Sequence, residues 1–232
     1  MIWDAAFRNC KNLDTINLQN VDFFGVGAFE NCTSLKVVNI ENAEGLKTIA
    51  EDAFSQCTQL QEIIIPKSVT QIGMYAFYGC AGLTDVTLPS SITTIGESAF
   101  SSCHELKEIV IPDAIVTIPE KCFNNCFKLY KVTLPAKLDT FYSNSFDYRY
   151  NLVEVYNRSS LTVRVFDISD SIINMYTKTS GESMITKLEG GFVTIKRGES
   201  VLLVGYTGNE RNVVIPSSVH EINPYVFYES DI

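Results

Sequence analysis

Histidine is almost missing from this chain. Of 232 residues only His104 and His220 carry an imidazole, so a multi-histidine metal site cannot be assembled. Positive charge is also short: 18 Lys and Arg stand against 27 Asp and Glu, a formal charge of −9, which weighs against nucleic acid or an anionic membrane surface as a partner. No apolar run reaches the length of a membrane span, so membrane insertion is not expected. The opening stretch MIWDAAFRNC has neither the basic region nor the apolar core of a signal peptide. Gly-rich phosphate loops and basic aromatic-interleaved patches are absent too. The adjacent Cys103 and His104 would point apart on a short turn, with no third group to orient them. The chain is therefore read as no enzyme, with no cofactor and no metal. Its seven cysteines are an odd number and cannot all close into intramolecular disulfides.

What is present is repetition. Hydrophobic residues make up 46% of the chain and 14 are Phe, enough for a packed core. Phe recurs at Phe7, Phe29, Phe54, Phe77, Phe100, Phe123 and Phe146. Cys follows three residues later at Cys10, Cys32, Cys57, Cys80, Cys103 and Cys126, with Arg149 breaking the series. Leu comes three further on, from Leu13 to Leu152. The period is 22, then 25, then 23 throughout. All variation falls in one turn, where ENAEG replaces the shorter PSS. Insertions are tolerated in surface turns and resisted in stacked cores, so the pattern predicts a solenoid.

Each coil has a physical reading. LTDVTLP turns Val86 and Leu88 inward and Asp85 and Thr87 outward, the period of a half-exposed strand. Pro66, Pro89, Pro112 and Pro135 end these strands because proline has no N–H to continue the ladder. ITTIG is a second short strand. ESAFSSCHEL places Phe, Cys and Leu at i, i+3 and i+6, which predicts a short helical turn. The cysteines are read as small core hydrophobes, and Cys122, in a column of Ala, as a slightly larger filler. No single coil can bury this set; its neighbours must.

These columns resemble the BspA-type leucine-rich repeat, the LRR_5 family, over residues 1–157 and again near the C-terminus. The resemblance implies an α/β leucine-rich-repeat solenoid, right-handed, with strand-rich coils of about 23 residues, short helical turns and a parallel sheet on the concave face. It also implies a bacterial cell-surface or secreted protein. Its expected work is protein–protein interaction or adhesion, with a host or bacterial surface protein as partner.

The tandem signature stops after Asn157. Residues 158–212 lack Ala-Phe-x-x-x-Cys and are expected to form a β-rich insertion or variant repeat unit. Within them SLTVRVFDIS alternates like a strand, and GGFVTIKRGESVLLVGYTG predicts a hairpin turning at Lys196-Arg197-Gly198-Glu199. The repeat resumes over 213–232, with Val213, Pro216, Val219 and Ile222 in their columns. It halts before its Leu position, and the first coil begins midway, which reads as a fragment of a longer protein.

The outward strand positions form two ladders. Thr15, Val37, Glu62, Asp85, Glu108, Lys131 and Glu154 make one; Asn17, Asn39, Ile64, Thr87, Val110, Thr133 and Tyr156 make the other. A wet, featureless face is one reading. The other is a partner-binding strip over Glu62, Ile64, Asp85, Thr87, Glu108, Val110, Lys131, Thr133, Glu154 and Tyr156, with Ile64, Val110 and Tyr156 as apolar anchors beside carboxylates. Two alternatives stay open: a spacer that projects another domain, and a glycan binder using Tyr150, Tyr156 and Tyr206.

Overall fold

The computed structural model describes residues 1–147, 152, 154–161, 176–178, 185–197, 199–208, 210, 212–223 and 226–227. Each repeat contributes one outward-facing strand: β1 (Thr15–Asn17), β2 (Val37–Asn39), β4 (Glu62–Ile64), β6 (Asp85–Thr87), β8 (Glu108–Val110), β10 (Lys131–Leu134) and β12 (Glu154–Asn157). A second, two-residue strand follows in most coils: β3 (Thr48–Ile49), β5 (Gln71–Ile72), β7 (Thr94–Ile95), β9 (Thr117–Ile118) and β11 (Thr140–Phe141). Where these strands pair they do so in parallel with the equivalent strand of a neighbouring coil, in register with the sequence columns, as in Glu62↔Asp85 and Ile72↔Ile95, and the outer strands fall into the ladders β1–β2, β4–β6 and β8–β10–β12. The chain is thus a parallel-strand solenoid.

From Phe7 to Phe123 the segment around the Phe is not the helical turn that its spacing suggests. In the coil of Phe54, alternate backbone N–H groups go to different places. Asp52, Phe54 and Gln56 donate to Met74, Ala76 and Tyr78 of the next coil, while Ala53, Ser55 and Cys57 donate three residues back. The alternation requires left-handed backbone two residues either side of Phe, seen at Asp52 (φ 52°) and Gln56 (φ 60°). The same two positions are left-handed from Ala5 and Asn9 through Lys121 and Asn125, with Gly27 and Gly79 among them. A right-handed helix cannot run through such residues. The only regular helix among the described residues is a 3₁₀ turn at Ser143–Phe146.

This geometry stacks like on like. The column rings lie nearly parallel, with centroids 5.1 to 5.6 Å apart from Phe7 to Phe146, and Phe29 to Phe146 are fully buried. Such offset stacks contribute about 0.5–1.5 kcal/mol per pair beyond their burial. The cysteines have a polar role besides filling space. In the column from Cys32 to Cys126 each thiol donates to the carbonyl of the preceding coil's Phe, at 3.0 Å for Cys32 to Phe7, 3.2 Å for Cys57 to Phe29 and 3.1 Å for Cys80 to Phe54. Burial pushes the Cys80 and Cys126 thiols up to about 12, so these two stay protonated and unreactive. Cys122 is buried in its Ala column.

Beyond Asn157 the architecture changes. β13 (Tyr176–Lys178) still pairs parallel with β12, with Tyr176 opposite Glu154. That is one repeat length on, although the residues between carry no repeat signature. Most of SLTVRVFDIS lies outside the described residues. Then β14 (Ile185–Leu188), β15 (Phe192–Arg197) and β16 (Ser200–Tyr206) form an antiparallel sheet. β15 and β16 are the expected hairpin; β14 is a third strand that the sequence did not announce. The resumed repeat adds β17 (Glu221–Ile222), parallel to β16, and its turn closes with Val219 N–H on the Pro216 carbonyl at 2.9 Å, as Ile92 does on Pro89. Ile222 occupies its column position but is half-exposed.

Candidate functional site

The outer strand face divides in two. On β4, β6 and the end of β8 it is open: Glu62, Asp85 and Thr87 are exposed, and Ile64 and Val110 keep 51% and 59% of their surface. Val37, one coil earlier, is also exposed. On the later coils it is covered. Glu108, Lys131, Thr133 and Tyr156 are half-buried, and Glu154 is buried.

The antiparallel sheet provides the cover. Tyr130, just ahead of β10, does not join the solenoid core; it is buried in a separate cluster with Val193, Ile195, Leu202 and Val204. Its hydroxyl donates to Glu108 Oε1 at 2.5 Å. Lys187, on β14, reaches the same oxygen at 2.6 Å and lies over the Tyr130 ring. Lys131 stands between Glu108 and Glu154, at 3.9 and 3.8 Å. Burial acts to raise the Glu108 carboxyl, but the hydrogen bonds from Lys187 and Tyr130, with both lysine charges, hold it below the ordinary carboxylate range. The other side of the hairpin, Phe192, Leu203 and Tyr206, packs with Val226 and the resumed repeat. Burial of β16 on both faces explains why VLLV reads as an unbroken apolar run.

Two clefts open beside Ile64. The larger, of about 430 Å³, is lined by Ile64, Thr87, Pro66, Lys67 and the carboxylates Glu41 and Glu44. The smaller, of about 240 Å³, runs past Val37, Lys36 and Glu62. Both border the long turn ENAEG, so the one irregular spacing in the repeat shapes the surface next to an exposed anchor. Among the sequence-derived candidates, the structure brings Glu62, Ile64, Asp85, Thr87 and Val110 onto one accessible strip. It draws Glu108, Lys131 and Glu154 into a charge cluster under the hairpin. Tyr130 and Lys187 were missed, although Tyr130 is the one aromatic in a column otherwise holding Asp14, Lys36, Gln61, Thr84, Lys107 and Val153.

The other chemical candidates resolve into packing. Cys103 donates its thiol to Phe77 at 3.3 Å, and His104 stacks on Phe127. Tyr206 is buried between Phe192 and Phe227; Tyr150 lies outside the described residues. Among the described residues no three His, Cys, Asp or Glu side chains gather as a metal site, and no helix is long and apolar enough to cross a membrane.

A family model described as BspA type leucine rich repeat region matches six copies, over residues 1–89 and 23–153. Among solved structures, a leucine rich cell surface protein from Faecalibacterium prausnitzii is 27% identical with a TM-score of 0.63, covering 94% of this chain and 52% of its own. A leucine-rich repeat protein from Bacteroides ovatus is 25% identical with a TM-score of 0.57, covering 68% of this chain and 47% of its own. The pneumococcal vaccine antigen PcpA shares the fold, at 18% identity and a TM-score of 0.55, over 73% of this chain and 42% of its own. The chain thus spans about half the length of the first two solved relatives. No curated protein matches it.

Proposed function

The chain belongs to the BspA-type leucine-rich repeat family, and from that premise we propose that it is a non-enzymatic scaffold that binds a polypeptide partner at a bacterial cell surface or after secretion. The observation that carries the reading is the pair Ile64 and Val110, more than half exposed on a regular strand face and set among Glu62, Asp85 and Thr87. A solvated ladder has no need of large aliphatic side chains in water, whereas an interface needs a few apolar anchors inside a polar rim. The clefts beside Ile64 give such an interface relief. The location draws support from the Faecalibacterium relative, whose own description is that of a cell surface protein. Solenoid faces of this kind suit extended partners because each coil repeats the same spacing.

The test is direct. The purified chain is screened against arrays of extended peptides and of glycans, then remeasured as the double variant Ile64→Glu, Val110→Glu. The expected result is peptide binding that the double variant weakens by about tenfold or more, with the melting temperature almost unchanged because both side chains sit in solvent. Binding to glycans alone, or to nothing, would overturn the proposal, the second outcome favouring a spacer.

A further inference from the structure

The molecule carries its own example of a segment seated on this face. β14 is an extended strand whose Lys187 bonds Glu108 at 2.6 Å, across 79 residues of sequence, while the sheet it belongs to covers Tyr130 with aliphatic side chains. The contact is face to face, with the lysine laid on the carboxylate ladder and apolar residues beside it. Glu108 belongs to the same column as Glu62 and Asp85. Those two are paired across adjacent strands and exposed; no ion pair or side-chain hydrogen bond engages either within the described residues. The nearest lysine on the smaller cleft, Lys36, already pairs with Asp14 at 3.4 Å. Glu41 and Glu44 add two more carboxylates at the rim of the larger cleft, against a single Lys67. The open face thus adjoins the occupied one on the next coil, has the same acidic column, and lacks the cation that satisfies it.

We propose that the open strip binds an extended polypeptide segment that alternates lysine or arginine with apolar residues, its cations on Glu62 and Asp85 and its apolar side chains on Ile64 and Val110. The proposal rests on the polypeptide-binding reading above and names the chemistry of the partner. Opposite charge arranged this way selects partners and orients them more than it adds raw affinity. A second copy of the chain is a poor occupant, because at −9 two copies repel.

Three synthetic peptides of equal length serve as probes, alternating valine with lysine, with serine or with glutamate. The lysine peptide is expected to bind, the serine peptide several-fold more weakly and the glutamate peptide not measurably. Glu62→Gln with Asp85→Asn should weaken lysine-peptide binding about fivefold at low salt and much less at high salt. Glu51→Gln with Glu97→Gln removes the same charge from the far side of the coils and should leave binding intact. If that control weakens binding equally, the attraction is only to net charge and the proposal falls. Equal binding of the lysine and serine peptides, lost on Ile64→Glu, overturns the charge inference while leaving the polypeptide-binding reading in place. Failure of every peptide, or binding indifferent to Ile64 and Val110, sinks both. Self-association of the chain at the probe concentrations, abolished by Ile64→Glu, would replace the peptide partner with a second copy.

Discussion

The tandem coils and the C-terminal antiparallel unit are both built from short strands, yet they are held together in different ways. In the coils the core columns repeat one set of contacts: Phe on Phe, Ile on Ile, and each buried column thiol on a Phe carbonyl. An error at one position is therefore felt by two neighbours of identical chemistry, and the inner surface of each coil is fixed by the outer surface of the last. In the antiparallel unit nothing repeats. Val193, Ile195, Leu202 and Val204 face Tyr130, and Phe192, Leu203 and Tyr206 face Val226. Each of these contacts occurs once in the molecule. Stability in the first region is spread along a column; in the second it is concentrated at a few residues.

The largest effect should come from cutting the column at its centre. Phe100 lies between Phe77 and Phe123, at 5.2 and 5.6 Å. Phe100→Ala should cost about 3–5 kcal/mol, the usual loss for a buried aromatic. Phe7 is half-buried and stacks on Phe29 alone, so Phe7→Ala should cost clearly less. Equal losses in denaturant melts would contradict column-by-column support.

Next is the residue joining the two regions. Tyr130→Ala removes the apolar plug of the second cluster and a hydrogen bond to Glu108, and should cost about 3 kcal/mol. The loss should be local. Hydrogen exchange is expected to accelerate at Val193, Ile195, Leu202 and Val204 while the amides of Phe54, Phe77 and Phe100 stay protected. Uniform acceleration over the whole chain would show that the two regions unfold as one.

The difference between the regions also explains what could be read from the sequence. The columns were legible because seven copies average out local ambiguity, and even the 25-residue spacing pointed to the turn that now lines a cleft. The form of the Phe turn was not. Phe, Cys and Leu at i, i+3 and i+6 fit a helix and a stacked turn equally; the first left-handed position is filled by Tyr75 and Lys121 as well as Gly27, and only the second, with Asn9, Asn31, Gly79 and Asn125, carries a left-handed signal. The covering of Glu108, Lys131 and Glu154 was hidden for another reason. Docking of one region on another leaves no periodicity, only the lone aromatic Tyr130 in a mostly polar column and the alternation-free VLLV.

Glycine sharpens the contrast at about 1 kcal/mol. In the coils Gly79 is needed for its backbone, with φ at +67°. Gly79→Ala should destabilise by about 1 kcal/mol, and Ser102→Gly, at the equivalent left-handed position (φ 61°), should stabilise by a few tenths. In the antiparallel unit Gly205 is needed for space: a Cβ there would stand 3.3 Å from the Tyr130 ring, which its bond to Glu108 holds in place. Gly205→Ala should loosen the hairpin and leave the coils as they were. Thermal melts paired with hydrogen exchange separate the two, and a neutral Gly79→Ala would mean that the column tolerates side chains there without strain.

The smallest effect, and the one that tests the charged seam between the regions, is the dependence of docking on pH. Lys187 and Glu108 are partly in solvent, at 63% and 35% of their side-chain surface, so their pair is screened and contributes about 0.2–1 kcal/mol. Its sign follows from the Glu108 carboxyl. Burial works against ionisation, but Lys187, Tyr130 and Lys131 leave the folded-state value below the ordinary one. The unfolded chain therefore binds the proton first as acid is added, and between the two values stability rises with pH. Docking should be complete above the ordinary carboxylate range, about pH 4.3 for glutamate, and weaken as pH falls through the lowered folded value. Added salt should blunt the effect. Hydrogen exchange at Val193 and Leu202 followed from pH 6 downward would show it, and Glu108→Gln should flatten the profile while making docking weaker at neutral pH. A profile unchanged in Glu108→Gln would move the titrating group to another carboxylate and remove Glu108 as the link between the coils and the hairpin.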